Sequence, residues 1–202
     1  MYNNISKMTS QTNGNNEAYL ELIIGPMFSG KTSRLIDIYK QCKFCNIPCV
    51  VINHSTDTRY NDLLLSNHDR VMIPCVQTNN LMSTYDRLKE AKVYLINEGQ
   101  FFDDLYIYVY HLLKMGNKVY VCGLDGDFQR KKFGQILDLI PLCDKVTKLT
   151  SLCSICKNGK AGIFSMRLTV ETCQTLVGSD NYIPVCRECY DTNNHTNNHN
   201  NY

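Results

Sequence analysis

The chain has 202 residues, of which 20% are charged and 44% hydrophobic, and a formal net charge of +2. That length supports one medium core plus a small appendage. The near-balanced charge argues against a general nucleic-acid or membrane-surface binder.

No apolar run reaches the roughly 18–20 residues that span a bilayer. The polar start MYNNISKMTSQTNGNN lacks the apolar stretch of a secretory signal. A cytoplasmic protein with reduced thiols is therefore expected. Its eleven cysteines are odd in number, so they cannot all pair, and they point to metal ligation and core packing.

Residues 1–17 and 191–202 are rich in Asn, Thr and His and are expected to form disordered tails. Between them, residues 19–24 predict a strand and 32–46 a helix. Residues 49–52 (CVVI) form a short, continuously apolar strand, and 81–89 a weaker helix. A second buried strand follows at 93–96 (VYLI), then a helix over 102–115 that stops near Gly116, then a strand at 119–122 (VYVC). Short apolar strands separated by helices imply a parallel sheet with helices on both faces, and the G-x-x-x-x-G-K-[ST] spacing at 25–32 gives it the P-loop NTPase type. The alternation fades near Thr150. With that motif, and with C-x-x-C pairs at 153/156 and 186/189, the expected division is an ATP-binding α/β domain over 18–149 and a small zinc-binding domain over 150–190.

The first strand runs into Gly25, Pro26, Met27, Phe28, Ser29, Gly30, Lys31 and Thr32, a full G-x-x-x-x-G-K-[ST] motif between strand and helix. The glycines allow successive N–H groups to point inward, and the helix start adds its positive dipole end. Lys31 supplies a mobile charge for phosphates, and the Thr32 hydroxyl can ligate Mg²⁺. The motif implies a nucleoside triphosphate with Mg²⁺, but not the fate of its phosphate.

After the VYLI strand come Asn97, Glu98, Gly99 and Gln100. Glu98 sits where the chain leaves the carboxyl edge of the sheet, and a carboxylate there can accept a proton from an attacking hydroxyl. Asp57, Thr58 and Arg59 follow the CVVI strand and should return to the same edge. Arg59 could neutralise charge on a transferring phosphoryl group, and Asp57 could hold a metal-bound water; a surface turn with a local ion pair explains the spacing equally well.

Two C-x-x-C pairs, Cys153 with Cys156 and Cys186 with Cys189, have the spacing of a tetrahedral Zn²⁺ site. The long segment between them is expected to carry a functional loop. Cys42, Cys45 and Cys49 are read as packing residues, and Cys75, Cys122, Cys143 and Cys173 as small core residues.

Taken together, GPMFSGKT, DTRY, NHD, EGQFF, LDGDFQRKKFGQILDLIPLCDKVTKLTSLCSIC and PVCRECY resemble the cytosolic, zinc-containing thymidine kinase family, over 19–190. The resemblance implies transfer of the γ-phosphoryl of ATP to the 5′-hydroxyl of thymidine, in nucleotide salvage for DNA synthesis, with Glu98 as general base. Residues 25–32, Asp57 to Arg59 and 97–100 would contact phosphates or metal. Met27, Phe101, Leu124, Phe128 and Ser165 would pack on the nucleoside. Cys173, Gln174, Thr175, Leu176 and Val177, followed by Tyr182, match the loop that wraps the base as a lasso. A homotetramer, feedback inhibition by thymidine triphosphate, and no nucleic-acid or membrane partner are also implied.

The chain departs from the family pattern twice. Asn97 stands where aspartate usually precedes the catalytic glutamate, so Mg²⁺ is expected to rest on Thr32, ATP oxygens and water. The loop also has a single glycine, Gly178, where a pair is common. Rival readings are a kinase for another pyrimidine deoxynucleoside such as deoxyuridine, a zinc-ribbon nucleic-acid-binding ATPase, and a silent nucleotide sensor.

Overall fold

The computed structural model describes residues 17–56, 64–67, 69–176 and 178–198. In chain order the elements are β1 (Tyr19–Ile24), α1 (Lys31–Phe44), β2 (Cys49–His54), β3 (Leu64–Ser66), β4 (Met72–Pro74), β5 (Val76–Thr78), α2 (Tyr85–Leu88), β6 (Val93–Ile96), α3 (Leu105–Lys114) and β7 (Lys118–Gly123). They continue with β8 (Lys145–Lys148), β9 (Ser151–Leu152), β10 (Ala161–Gly162), β11 (Phe164–Arg167), β12 (Tyr182–Val185) and α4 (Arg187–Asn198).

Six strands form one sheet in the order β5-β2-β6-β7-β1-β8, and every neighbouring pair is parallel. Its strands read as apolar runs because alternate side chains serve two different cores. Leu20, Leu22, Ile24, Tyr94, Ile96, Val119 and Val121 point to the face covered by α3. Ile23, Leu95, Val51 and Cys122 point to the other, with Leu35, Ile36 and Ile38 of α1. The fold is the expected α/β arrangement, and both faces are filled.

All six strands run the same way, so β1, β2, β6 and β7 deliver their carboxyl ends to one edge. The glycine loop, Thr56, Glu98 and Leu124 all leave the sheet there. In an open parallel sheet that edge is where ligands gather.

The expected weak helix over 81–89 is a 3-10 turn (Met82–Thr84) followed by the single-turn α2. The helix expected from 102 starts instead at Leu105, after a 3-10 turn at Gly99–Phe101. The hairpin β3–β4 and the edge strands β5 and β8 have no counterpart in the expected elements. Each is short, and β8 is largely exposed, so none carries an apolar signature.

Beyond β8 the chain builds two small antiparallel pairs, β9–β10 and β11–β12, around a third cluster of Cys153, Met166, Val185, Cys186 and Tyr190. Helix α4 runs on through Asn198, past the Tyr190 limit where a tail was expected. Residues 1–16 and 199–202 of the expected tails lie outside the described residues. No helix among the described residues is long and apolar enough to cross a membrane.

Candidate active site

The glycine loop doubles back over the start of α1. Gly25 has φ +150°, and a Cβ there would collide with the carbonyl of Leu149. Gly30 caps α1 at φ +83° with open space around it, a left-handed position that suits glycine and leaves room for a ligand. The Lys31 ammonium donates to the Pro26 carbonyl at 2.6 Å, and the Met27 amide donates to Ser165 Oγ at 2.9 Å. That second bond ties the loop to β11. Ser29 Oγ is shielded from solvent and has no partner among the described residues. An orphaned hydroxyl inside a ring of helix-start amides fits a phosphate.

Glu98 adopts φ 55° and ψ 41°, left-handed backbone that a glutamate rarely takes. Such strain concentrates at functional positions. The Gln100 side chain fixes its carboxylate: Nε2 donates to Glu98 Oε2 at 2.6 Å, while Oε1 accepts from the Leu124 amide at 3.0 Å. The chain leaving β7 thus orients the carboxylate leaving β6.

A cavity of about 320 Å³ lies above this edge. Met27, Phe28, Ser29, Gly30, Lys31 and Thr32 line one side, and Glu98, Gln100 and Phe101 the floor. Leu124, Phe128, Ser165, Gln174, Thr175, Leu176 and Tyr182 complete it. Most of the expected site residues are thus brought together from three parts of the chain. Gly25, Pro26, Asn97, Gly99 and Cys173 do not reach its wall. Asp57, Thr58, Arg59 and Val177 lie outside the described residues.

Asn97 is the notable case. It is 2% exposed, and its Nδ2 donates to Oδ1 of Asn53, itself 1% exposed, at 2.9 Å. With its amide turned to satisfy its neighbours, Gln77 accepts from Asn53 Nδ2 at 3.1 Å. The residue in the aspartate's place is therefore one link of a buried amide chain across β6, β2 and β5.

His54, at the end of β2, is wedged against Phe101 and Phe102 with ring centroids 5.5 and 4.7 Å away. Its Nδ1 accepts from the Thr56 amide at 3.1 Å and lies 2.7 Å from the Thr56 hydroxyl. Burial lowers the His54 pKa, against the pull of Glu98, Asp103 and Asp104. Thr56 lines the cavity.

Several wall residues were not anticipated. Phe133 stands edge-on to Phe101 at 5.4 Å. Asp127, 7% exposed, accepts from the Gln129 and Lys131 amides, both at 2.9 Å, and from Gln174 Nε2 at 2.8 Å. Asn67 donates to Ser33 Oγ at 3.1 Å, joining the β3–β4 hairpin to α1. All three stand within quoted runs, Asn67 in NHD and Asp127 and Phe133 in LDGDFQRKKFG, but the sequence assigns no role to any of them.

The sulfur atoms of Cys153, Cys156, Cys186 and Cys189 all lie within 4.8 Å of one another. Tetrahedral Zn²⁺ with bonds of about 2.3 Å needs sulfurs about 3.8 Å apart, so the donor set fits that ion. Against its burial, backbone hydrogen bonds from Cys186, Cys156 and Ile155 hold the Cys153 thiol pKa down to about 6, and Cys156 and Cys189 resist following it. At Cys189 burial leads, and hydrogen bonds with Cys186, Cys153 and Cys156 add to it, pushing its pKa up to about 12. A dication would reverse that balance. No second cluster of this kind occurs among the described residues, which leaves Cys42, Cys45 and Cys49 as free thiols.

A family model described as thymidine kinase matches residues 18–190, nearly the whole chain. The chain belongs to the thymidine kinase family. Curated relatives agree. A thymidine kinase of Sheeppox virus (strain KS-1) is 39% identical over 173 residues, covering 85% of this chain and 96% of the relative. One from Choristoneura fumiferana entomopoxvirus is 40% identical, covering 87% and 97%. Thymidine kinase 1 of Dictyostelium discoideum is 38% identical, covering 86% and 78%. Membership of the thymidine kinase family makes the chain a kinase and gives the cavity its context: phosphate loop, carboxylate and aromatic wall face one space.

Proposed function

We propose that the protein transfers the γ-phosphoryl group of ATP to the 5′-hydroxyl of thymidine, giving thymidine monophosphate for nucleotide salvage. The observation that carries this reading is that Glu98 lies in one cavity between the phosphate loop and the aromatic wall of Phe101, Phe128 and Phe133. The names of the relatives support thymidine as the acceptor.

The chemistry asks mainly for positioning and charge neutralisation. The loop amides and the positive end of α1 receive the phosphates, and Lys31 is the cation at hand. The Thr32 hydroxyl is the group that would hold Mg²⁺, which would supply charge neutralisation to the phosphates. The aromatic wall excludes water, and Ser165 ties the phosphate loop to the strand beside the nucleoside. Glu98, oriented by Gln100, takes the 5′-hydroxyl proton as the oxygen attacks phosphorus. A structural Zn²⁺ on the four cysteines would hold the small domain against this cavity.

Thymidine triphosphate carries both a thymine and a triphosphate, so it could occupy wall and loop at once, which is the basis for feedback inhibition. The exposed outer face of α3, with Tyr106, Ile107 and Tyr110 each 38–45% exposed, gives a homotetramer an apolar face to cover. Eleven cysteines with no disulfide among them suit a cytoplasmic, reducing location.

The test is a transfer assay with labelled ATP and a panel of thymidine, deoxyuridine, DNA and RNA. Labelled thymidine monophosphate is expected. ATP consumption that follows DNA or RNA instead would favour the nucleic-acid ATPase. Nucleotide binding without any product would leave a sensor.

A further inference from the structure

Arg167 ends β11 and is 8% exposed. A buried guanidinium usually meets a carboxylate. Among the described residues no carboxylate accepts a hydrogen bond from this one. Nη1 donates to the carbonyls of Glu171 at 2.8 Å and Cys173 at 2.5 Å. Nη2 donates to the Gln174 carbonyl at 3.0 Å and to the Tyr182 hydroxyl at 2.5 Å. That hydroxyl donates in turn to the Leu176 carbonyl at 3.2 Å.

The same guanidinium lies 3.7 Å from the centroid of the Phe128 ring, on the other domain. Tyr190 of α4 holds the main chain of that residue, donating to the Phe128 carbonyl at 2.5 Å. The small domain thus grips Phe128 by ring and by backbone.

Apart from this fork, the loop is tied across the cavity by Gln174, whose Nε2 donates to Asp127 Oδ2 at 2.8 Å and to the Lys132 carbonyl at 3.4 Å. Residues 168–176 form neither helix nor strand, and most of them are exposed. Their carbonyls converge on one fork of fixed geometry. Arg167 Nε remains buried without a partner, which costs stability and is hard to explain if packing were its only role.

We propose that Arg167 is the positioning residue of the nucleoside site. It folds the 171–176 loop into its binding shape before a nucleoside arrives and locks Phe128 to the same point. Ordering the loop in advance removes an entropic cost from binding. Lysine cannot replace it, because an ammonium lacks both the planar fork and the face that stacks on the ring. This assignment rests on the cavity being the thymidine site.

The test compares Arg167→Lys with the unaltered chain by steady-state kinetics and by hydrogen exchange of the ligand-free protein. The thymidine KM should rise about tenfold or more, as loss of charge-assisted bonds implies. The ATP KM should stay within about twofold. Amides of residues 168–176 should exchange faster, while those of β1, β6 and β7 keep their protection. If Arg167→Lys folds poorly, Tyr182→Phe removes one acceptor from the same fork and should shift the same readouts less. An unchanged thymidine KM, a parallel rise in both KM values, or unchanged loop exchange each overturns the proposal. Absence of thymidine phosphorylation by the unaltered chain sinks the substrate reading instead, and the exchange comparison still decides whether Arg167 orders the loop.

Discussion

Asn97 donates a hydrogen bond to Asn53 at 2.9 Å, joining β6 to β2 beneath the sheet edge, with both residues almost fully buried. The pair makes Asn97 a buried tie between the two strands. Asn53 already directs its own amide toward Gln77, so it has no ready donor for a carboxylate at 97.

Asn97→Asp should therefore destabilise the fold by about 1–3 kcal/mol, the cost of a badly satisfied buried group. Burial would raise the new carboxyl's folded pKa above its unfolded value. Such a group favours the folded state only when protonated, so the loss should grow as pH rises past the unfolded carboxylate pKa near 4. Urea melts across pH measure this. A variant as stable as the parent at neutral pH would contradict it.

His54 gives the parent protein its own pH dependence. Its folded pKa is lowered by burial, so the unfolded chain binds the proton more readily. Stability contributed by neutral His54 is full above the ordinary value of 6.5 and declines as pH falls below it. His54→Gln should flatten that part of the acid limb in a melting series. An acid limb unchanged by the substitution would remove His54 from this role.

Gln174 and Asp127 join the loop to the cavity floor through one 2.8 Å bond. In Gln174→Glu two carboxylates would face each other, and the thymidine KM should rise by roughly threefold to tenfold at neutral pH, as for other lost polar contacts. The rise should shrink on acidification, because one carboxyl then carries a proton. Adding Asp127→Asn reverses the polarity of the bond and should restore much of the affinity. No recovery in the double variant would show that the contact does not position the loop.

The four-cysteine cluster permits a test of domain roles. Cys186→Ser should lower zinc content from about one ion per chain, since a tetrahedral site loses a ligand. Protection of β9 to β12 should fall with it, while nucleotide binding by the phosphate loop persists. Loss of nucleotide binding in step with zinc would mean that the two parts are not separable.

Much of this architecture was legible in the sequence because the sheet's centre is written in uninterrupted apolar runs. Strands β1, β2, β6 and β7 bury both faces, and nothing else explains VYLI or VYVC. The edges carry no such mark: β8 is KVTK with its side chains mostly exposed, and β5 has only three residues. The glycine loop and the cysteine pairs could be read because their chemistry imposes fixed spacing, and Glu98 could be placed at the site edge because it follows a buried strand of the sheet. Arg167 and Asp127 could not, since a charge in a short strand or a turn ordinarily faces water. Their contacts form only when two distant segments close over them. Helix α4 was not expected at all, because its start lies in a cysteine knuckle and its Asn-rich continuation has poor helix propensity; Tyr190 packed in the third cluster anchors the helix start.

In the proposed transfer Glu98 accepts the proton of the nucleoside hydroxyl as the oxygen attacks phosphorus. Measuring kcat for thymidine phosphorylation in Glu98→Gln, with ATP affinity followed in parallel, tests that role most directly. A fall of roughly 10²–10⁴-fold in kcat at near-unchanged ATP affinity is expected from loss of a general base. A variant that turns over at close to the parent rate would contradict that assignment.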